Sequence, residues 1–192
     1  MRLLLATRND HKLREFERLL PGVDLDPLPA ELESPEETGE TYAANALIKA
    51  RAAAQATGRA AFADDSGIEA EALDWRPGVR TARFAGEDAG DGENLAKLHR
   101  EAPAGSRARY VCVIAHVTPE GQEHLFEGRC EGMLAAEPGG EGGFGYDPLF
   151  IADEAPGRTM AELSDAEKDA ISHRGHAARE LLAWLTLAGG EV

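Results

Sequence analysis

The chain opens with an unbroken apolar run, Leu3-Leu4-Leu5-Ala6, and turns polar at Thr7. A short apolar run without alternation reads as a strand covered on both faces, so residues 2 to 6 are expected to form a buried strand. The next apolar positions, Leu13, Phe16, Leu19 and Leu20, recur at steps of three and four, which predicts a helix from about Asp10 to Leu20 stopped by Pro21-Gly22. A strand, a loop and a helix in that order are the start of an α/β fold. Residues 23 to 40 lose periodicity and collect Pro27, Pro29, Pro35 and several acids, as an irregular connection would. The alanine-rich stretch Thr41 to Thr57 predicts a second helix with Gly58 as its stop, and spacing puts Asn45 and Lys49 on one face at i and i+4.

Further along, residues 60 to 73 form an apolar run interrupted by acids, and Asn94 to His99 reads as the core of another helix. Residues 109 to 118 and 123 to 134 read as two strands joined at Pro119-Glu120-Gly121, an antiparallel hairpin, so the sheet should be mixed. A glycine-rich loop from Pro138 to Tyr146 leads into the apolar Pro148-Leu149-Phe150-Ile151. Ser164 to Glu167 has the S-x-x-E pattern of a capping box, and residues 173 to 187 predict a closing amphipathic helix. The expectation is an α/β fold, a mixed β-sheet flanked by helices. No repeat, low-complexity tract or long linker interrupts the chain, so residues 1 to 192 are expected to be a single domain.

Composition narrows the function classes. A chain of 192 residues can bury about 70% of its unfolded surface and needs no covalent staples. Cys112 and Cys130 have neither CxxC nor Cys/His spacing and lie in apolar or alternating runs, which predicts buried thiols and a reducing, cytoplasmic setting. The first apolar run is too short for a signal peptide, and nothing approaches the roughly 18 residues of a membrane span. With 20 Lys plus Arg against 35 Asp plus Glu, the formal net charge of −15 argues against nucleic-acid partners. An anionic substrate would need local cations and a metal to offset that field. Only Lys12, Lys49, Lys97 and Lys168 are lysine in a chain that otherwise uses arginine, so these positions could be where a compact ammonium is wanted, as beside phosphate.

The candidate chemistry centres on Asp64-Asp65-Ser66-Gly67. Adjacent carboxylates at a strand end can hold a hard divalent cation or deprotonate a water; the same residues also make an ordinary solvated turn. Because neighbours on an extended strand point to opposite faces, the two acids should not be equivalent. Thr7-Arg8-Asn9-Asp10-His11-Lys12 follows the first strand, where a helix N-terminus attracts phosphate, with Thr7 and Asn9 as neutral donors and Lys12 as a mobile charge. The alternative is a plain helix start with Asp10 as N-cap.

The loop at 139 to 145 contains G-x-G-x-x-G at Gly140, Gly142 and Gly145, but Pro148 follows where a dinucleotide fingerprint needs a helix. It is read instead as a flexible loop letting backbone approach a flat ligand, with Phe144 or Tyr146 to stack on a base and Asp147 to accept a hydrogen bond, or as a tight connection. Ser172-His173-Arg174-Gly175 puts two cations at a helix start, where an anionic or carbonyl-bearing ligand would relieve the dipole; surface pairing with Asp165 or Asp169 is the alternative. A zinc site from His173 and His176 lacks further partners. The acid run Glu33, Glu36, Glu37 and Glu40 reads as a solvated loop that could lend one oxygen ligand to a metal at Asp65.

Together these segments resemble the inosine triphosphate pyrophosphatases, the dITP/XTP or non-standard purine NTP pyrophosphatase family. The matching stretches are Ala6-Thr7-Arg8-Asn9 with Lys12 and Glu15, Glu36-Glu37-Thr38-Gly39, Asn45-Ala46 with Lys49-Ala50, and Asp64-Asp65-Ser66-Gly67. Pro77-Gly78-Val79, Ala82-Arg83 and Gly86 follow, then Gly142 to Pro148, Ala161-Glu162-Leu163, Glu167-Lys168 and Ser172 to Gly175. The resemblance implies an elongated mixed sheet in two lobes with a cleft between them, a homodimer, and Mg²⁺-dependent hydrolysis of ITP, dITP and XTP to monophosphate and pyrophosphate. It implies Asp65 as proton acceptor and metal ligand, and Glu36 or Glu37 as a further ligand. Thr7, Arg8, Asn9, Asp10, His11, Lys12 and Lys49 would take the triphosphate and Ser66 would touch substrate, while Phe144, Gly145, Tyr146, Asp147, Lys168, His173 and Arg174 would read the base. Arg8 stands where many members carry a small residue. A related Maf-type pyrophosphatase and a non-catalytic nucleotide-binding module are the competing readings.

Overall fold

The computed structural model describes residues 1–188. The opening run is β1 (Arg2–Leu5), followed by α1 (Asp10–Leu19). β1 is paired in parallel with β2 (Asp24–Pro27) on one side and β3 (Ala61–Ala70) on the other, and α2 (Tyr42–Thr57) connects the latter two. β4 (Arg76–Pro77) lies antiparallel to the end of β3, and α3 (Asp91–Glu101) precedes the hairpin of β5 (Arg107–Val117) and β6 (Glu123–Leu134). β7 (Phe150–Ala152) is antiparallel to β6, and α4 (Asp165–Ile171) and α5 (His173–Ala188) close the chain. The strand order is β2-β1-β3-β5-β6-β7, with β4 on β3, so the sheet is mixed as expected. No helix among the described residues is long and apolar enough to cross a membrane.

The main departure from the sequence reading is β2, inside the stretch expected to be irregular. Its residues Asp24-Leu25-Asp26-Pro27 give no strand signal, and pairing with β1 alone creates it. Proline is tolerated there because β2 is an edge strand, with no ladder partner on its outer side among the described residues.

The chain forms two compact units, each assembled from separate segments: residues 1–65, 112–128 and the chain from His176, and residues 66–111 and 129–175. In the first unit the strand pleat sorts the core. Leu3 and Leu5 of β1, Phe62 of β3, and Cys112 and Ile114 of β5 pack with Phe16 and Leu19 of α1 and Leu181 and Leu185 of α5. Leu4, Ala6, Ala61 and Ala63 face the other way, onto Ala46, Ala50, Ala53 and Ala54 of α2. Both faces are covered, which is why β1 reads as a continuous apolar run. In the second unit Ile68, Leu98, Tyr110, Leu134, Leu149, Phe150 and Met160 form one core. There β6 alternates buried and exposed positions, the signature of a strand covered on one face. Cys112 and Cys130 are buried and form no disulfide.

His116 of β5 is buried against His124 and Trp184, with ring centroids 6.4 and 5.0 Å away, and its Nδ1 has no hydrogen-bond partner. Burial, helped by repulsion from His124, lowers its pKa to about 4. An unfolded histidine takes its proton near pH 6.5. In the window between, the unfolded chain therefore binds more protons, and acid favours unfolding. Urea midpoints should fall as pH is lowered from about 6.5 to about 4, and His116→Gln should flatten that slope by up to one proton. Equal slopes in both proteins would contradict this.

Candidate active site

The pleat also decides what each carboxylate of the acidic pair can do. Asp65 follows Ala61 and Ala63 onto the α2 side, whereas Asp64 follows Phe62 onto the α1 side. On α2, Asn45 and Lys49 share a face one turn apart, as their spacing predicted. Asn45 Nδ2 donates to Asp65 Oδ2 at 3.1 Å, and Lys49 Nζ lies 3.4 Å from Asp65 Oδ1. Lys49 also donates to Glu37 Oε1 at 2.7 Å. Asn45 Oδ1 accepts from Gly39 N at 2.8 Å, and a Cβ at Gly39 would lie 2.6 Å from that same oxygen, so only glycine lets the acidic loop come this close.

Burial raises the pKa of Asp65, with Glu37 adding to it, against the lowering influence of Lys49, Lys12 and the Asn45 hydrogen bond. Burial also works to lower that of Lys49, but the negative charges of Asp65, Asp64 and Glu37 outweigh it and the ammonium is held charged more firmly than usual. A carboxylate of raised basicity beside fixed donors is suited to accept a proton from water. On the opposite face Asp64, almost wholly buried, pairs with Lys12 Nζ at 3.0 Å. Asp64 thus holds a cationic neighbour.

The segment from Thr7 to Lys12 divides. Asn9, not Asp10, is the N-cap of α1: its Oδ1 accepts from His11 N at 2.9 Å and Lys12 N at 3.1 Å, while Asp10 is the first helical residue. Those two backbone donors are thus satisfied within the chain and are not offered to phosphate. Thr7 Oγ1 accepts from Asn9 N at 3.2 Å, which leaves its hydroxyl proton to donate. His11 turns along the exposed helix face to Arg14. Arg8 is directed at backbone carbonyls of residues 28 to 32, away from the role expected of it.

In the second unit Asp147 is a hub. Its carboxylate accepts from Lys168 Nζ at 2.6 Å, Phe144 N at 2.9 Å and Tyr110 Oη at 3.2 Å. It therefore orders its own loop first, which sequence reasoning missed in offering it to a base. Tyr146 likewise belongs to the core, its hydroxyl donating to Thr81 O at 2.7 Å. Phe144 is the half-buried aromatic, with Lys168 Nζ 5.0 Å and the Arg174 guanidinium 5.7 Å from its ring centroid. Gly145 N donates to Asp91 at 3.0 Å. Gly140 and Gly143 adopt positive φ, and a Cβ at either would strike Ala161 or Asp147, so these glycines serve close approach within the chain itself.

His173 and Arg174 are buried, which overturns the surface-pair alternative. His173 stacks on Tyr110 at 4.5 Å and 7° between ring planes, and Arg174 Nη2 donates to Ser66 Oγ at 2.9 Å. Ser66 is covalently next to Asp65, so one strand carries both the basic carboxylate and the hydroxyl that Arg174 holds. The helix start works as expected: Ser172 Oγ accepts from Gly175 N at 2.9 Å, and a Cβ at Gly175 would fall 2.1 Å from Asp169 O. Lys12, Lys49 and Lys168, three of the four lysines, each sit on a carboxylate. Sequence reasoning missed Tyr110 and Asp91 as site supports. Tyr110 gave no signal because on a strand it reads as core.

Glu37 and Asp65, joined through Lys49, supply two hard oxygen donors; Glu36 is exposed. Among the described residues no cluster of three or more His, Cys, Asp or Glu is placed to form a metal cage. Mg²⁺ bound through one or two carboxylates, with substrate phosphates and water completing its shell, needs no more than this pair. The donor set fits such an ion.

Fold and site together define a mixed α/β protein with a buried lysine–carboxylate centre suited to phosphate and a hard cation. The chain belongs to the Ham1 family, whose model matches residues 3–184. This agrees with the resemblance read from the motifs. It is 48% identical to a dITP/XTP pyrophosphatase of Frankia alni, over 96% of this chain and 97% of that protein. To one of Symbiobacterium thermophilum it is 51% identical, over 92% and 90%. A solved HAM1 protein from Coxiella burnetii superposes with a TM-score of 0.85 at 41% identity, covering 97% of this chain and 98% of that one.

Proposed function

We propose that this protein hydrolyses non-standard purine nucleoside triphosphates, ITP, dITP and XTP, at the α–β anhydride, releasing monophosphate and pyrophosphate with the help of Mg²⁺. The observation that carries the reading is the buried Asp65 carboxylate, raised in basicity and aligned by Asn45 and Lys49. Family membership and relatives named dITP/XTP pyrophosphatases support it. Asp65 orients a water and takes its proton, and Lys49 keeps the carboxylate in place while offering charge to phosphoryl oxygens. The Thr7 hydroxyl and Lys12 hold the triphosphate. Glu37 and Asp65 would hold Mg²⁺, which when bound neutralises the phosphate oxygens. Lys168 and Arg174 provide donors around Phe144, with His173 next in the chain to Arg174, and donors left unpaired when a 6-amino group replaces a 6-keto oxygen penalise adenine strongly. The reading includes a homodimer acting in the cytoplasm, as the family resemblance implies.

A product-resolved nucleotide panel tests it. Pyrophosphate should leave ITP, dITP and XTP at least about 100-fold faster, in kcat/KM, than ATP, a discrimination normal for a hydrogen-bonded site, and faster than GTP. Release of inorganic phosphate alone, or equal rates on all five, would overturn the assignment. A preference for pyrimidine nucleotides would favour a Maf-type activity, and thermal stabilisation by ITP without turnover a binding module.

A further inference from the structure

Arg8 is the residue whose observed contacts differ most from its expected role. Its Nη1 donates to Leu28 O at 2.7 Å, and its Nη2 donates to Pro29 O and Leu32 O, each at 2.5 Å. Three carbonyls converge because the segment turns sharply there, with Leu32 N bonded back to Pro29 O at 3.1 Å. Pro27 and Pro29 carry no N–H, so this stretch is short of backbone donors for its carbonyls, and Arg8 supplies donors that its own backbone lacks. A planar guanidinium with five N–H groups can meet three carbonyls at once, whereas one ammonium holds them poorly.

The same segment leads directly to Glu37. Beneath it is a cavity of about 50 Å³ lined by Ala6, Leu28, Leu32, Pro35, Lys49 and Ala53, so apolar packing is incomplete there. Polar contacts therefore hold the 28–39 stretch: Arg8 at its start, Lys49 on Glu37, and Asn45 at Gly39. Arg8 also stands between Thr7 and Asn9, in the segment whose Lys12 is fixed on Asp64.

We propose that Arg8 is a positioning residue that clamps the acidic loop and so presents Glu37 toward Asp65, rather than a ligand of the triphosphate. The inference rests on the assignment of Glu37 and Asp65 to Mg²⁺ made above.

The test compares wild type with Arg8→Met, Arg8→Lys, Glu37→Gln and the Arg8→Met/Glu37→Gln double variant, each verified as folded by circular dichroism. Hydrogen exchange at the Leu32 amide should quicken about tenfold in Arg8→Met, the equivalent of one lost charge-assisted hydrogen bond. The Mg²⁺ concentration for half-maximal pyrophosphate release should rise by a similar factor of about ten, while nucleotide KM at saturating Mg²⁺ moves less than about twofold. Arg8→Lys should not restore the wild-type values, and in the Glu37→Gln background Arg8→Met should add nothing to the Mg²⁺ requirement. Unchanged exchange with a raised nucleotide KM would make Arg8 a phosphate ligand and overturn the proposal, as would an undiminished effect of Arg8→Met when Glu37 is already Gln. If Glu37→Gln alone leaves the Mg²⁺ requirement unaltered, the metal assignment fails. The exchange measurement still decides the clamp, because unchanged Leu32 exchange refutes it and faster exchange upholds it.

Discussion

Asp65→Asn should lower pyrophosphate release from ITP by about 10³-fold while the protein stays folded, within the range seen when a positioned general base is lost. The substitution is nearly isosteric, and the new side-chain oxygen can still accept from Asn45 Nδ2. Lys49 keeps its shorter contact to Glu37 at 2.7 Å, so the buried ammonium retains a counter-charge. On the proposed mechanism, what is lost is the basic oxygen and one anionic donor to Mg²⁺. A single-turnover assay with a thermal melt separates chemistry from folding. Activity within tenfold of wild type would remove Asp65 from the mechanism.

Lys168→Ala should cost about 3 to 5 kcal/mol of stability, the usual penalty for leaving one partner of a buried ion pair behind. Lys168 and Asp147 are both about 95% buried at their side chains and meet at 2.6 Å, so water cannot readily replace the ammonium. The same carboxylate orders Phe144 N and Tyr110 Oη, and Tyr110 in turn stacks on His173. The lesion should therefore spread through the residues proposed to read the base and narrow the preference for ITP over ATP. Urea unfolding measures the first effect and the nucleotide panel the second. The double variant Asp147→Asn/Lys168→Met should recover part of the stability, since no unpaired charge remains. A loss below about 1 kcal/mol would place the pair among ordinary surface bridges and end this account.

Much of the fold was legible because its elements carry strong periodicity. β1 is covered on both faces and α1 has a clear apolar stripe, so each announces itself locally. The capping box at Ser164 and Glu167 and the stop at Gly58, with φ +64°, follow from backbone groups that any helix end must satisfy. β2 was not legible, because a polar edge strand exists only once β1 offers it a ladder.

Within the site, the i, i+4 spacing of Asn45 and Lys49 and the opposite sides taken by Asp64 and Asp65 were determined by the chain alone, since helix and strand periods are properties of the backbone. Which partner each side chain met was decided by the tertiary structure. Asp64 gained Lys12, Arg8 turned to the carbonyls of a proline-rich segment, and Asp147 became the anchor of Lys168 and Tyr110. Those pairings join residues about 20 to more than 50 positions apart in sequence, or on elements whose packing no local period encodes. The acidic pair was therefore readable as two unlike carboxylates, but only the packing of α1 and α2 against β3 gave each its own lysine.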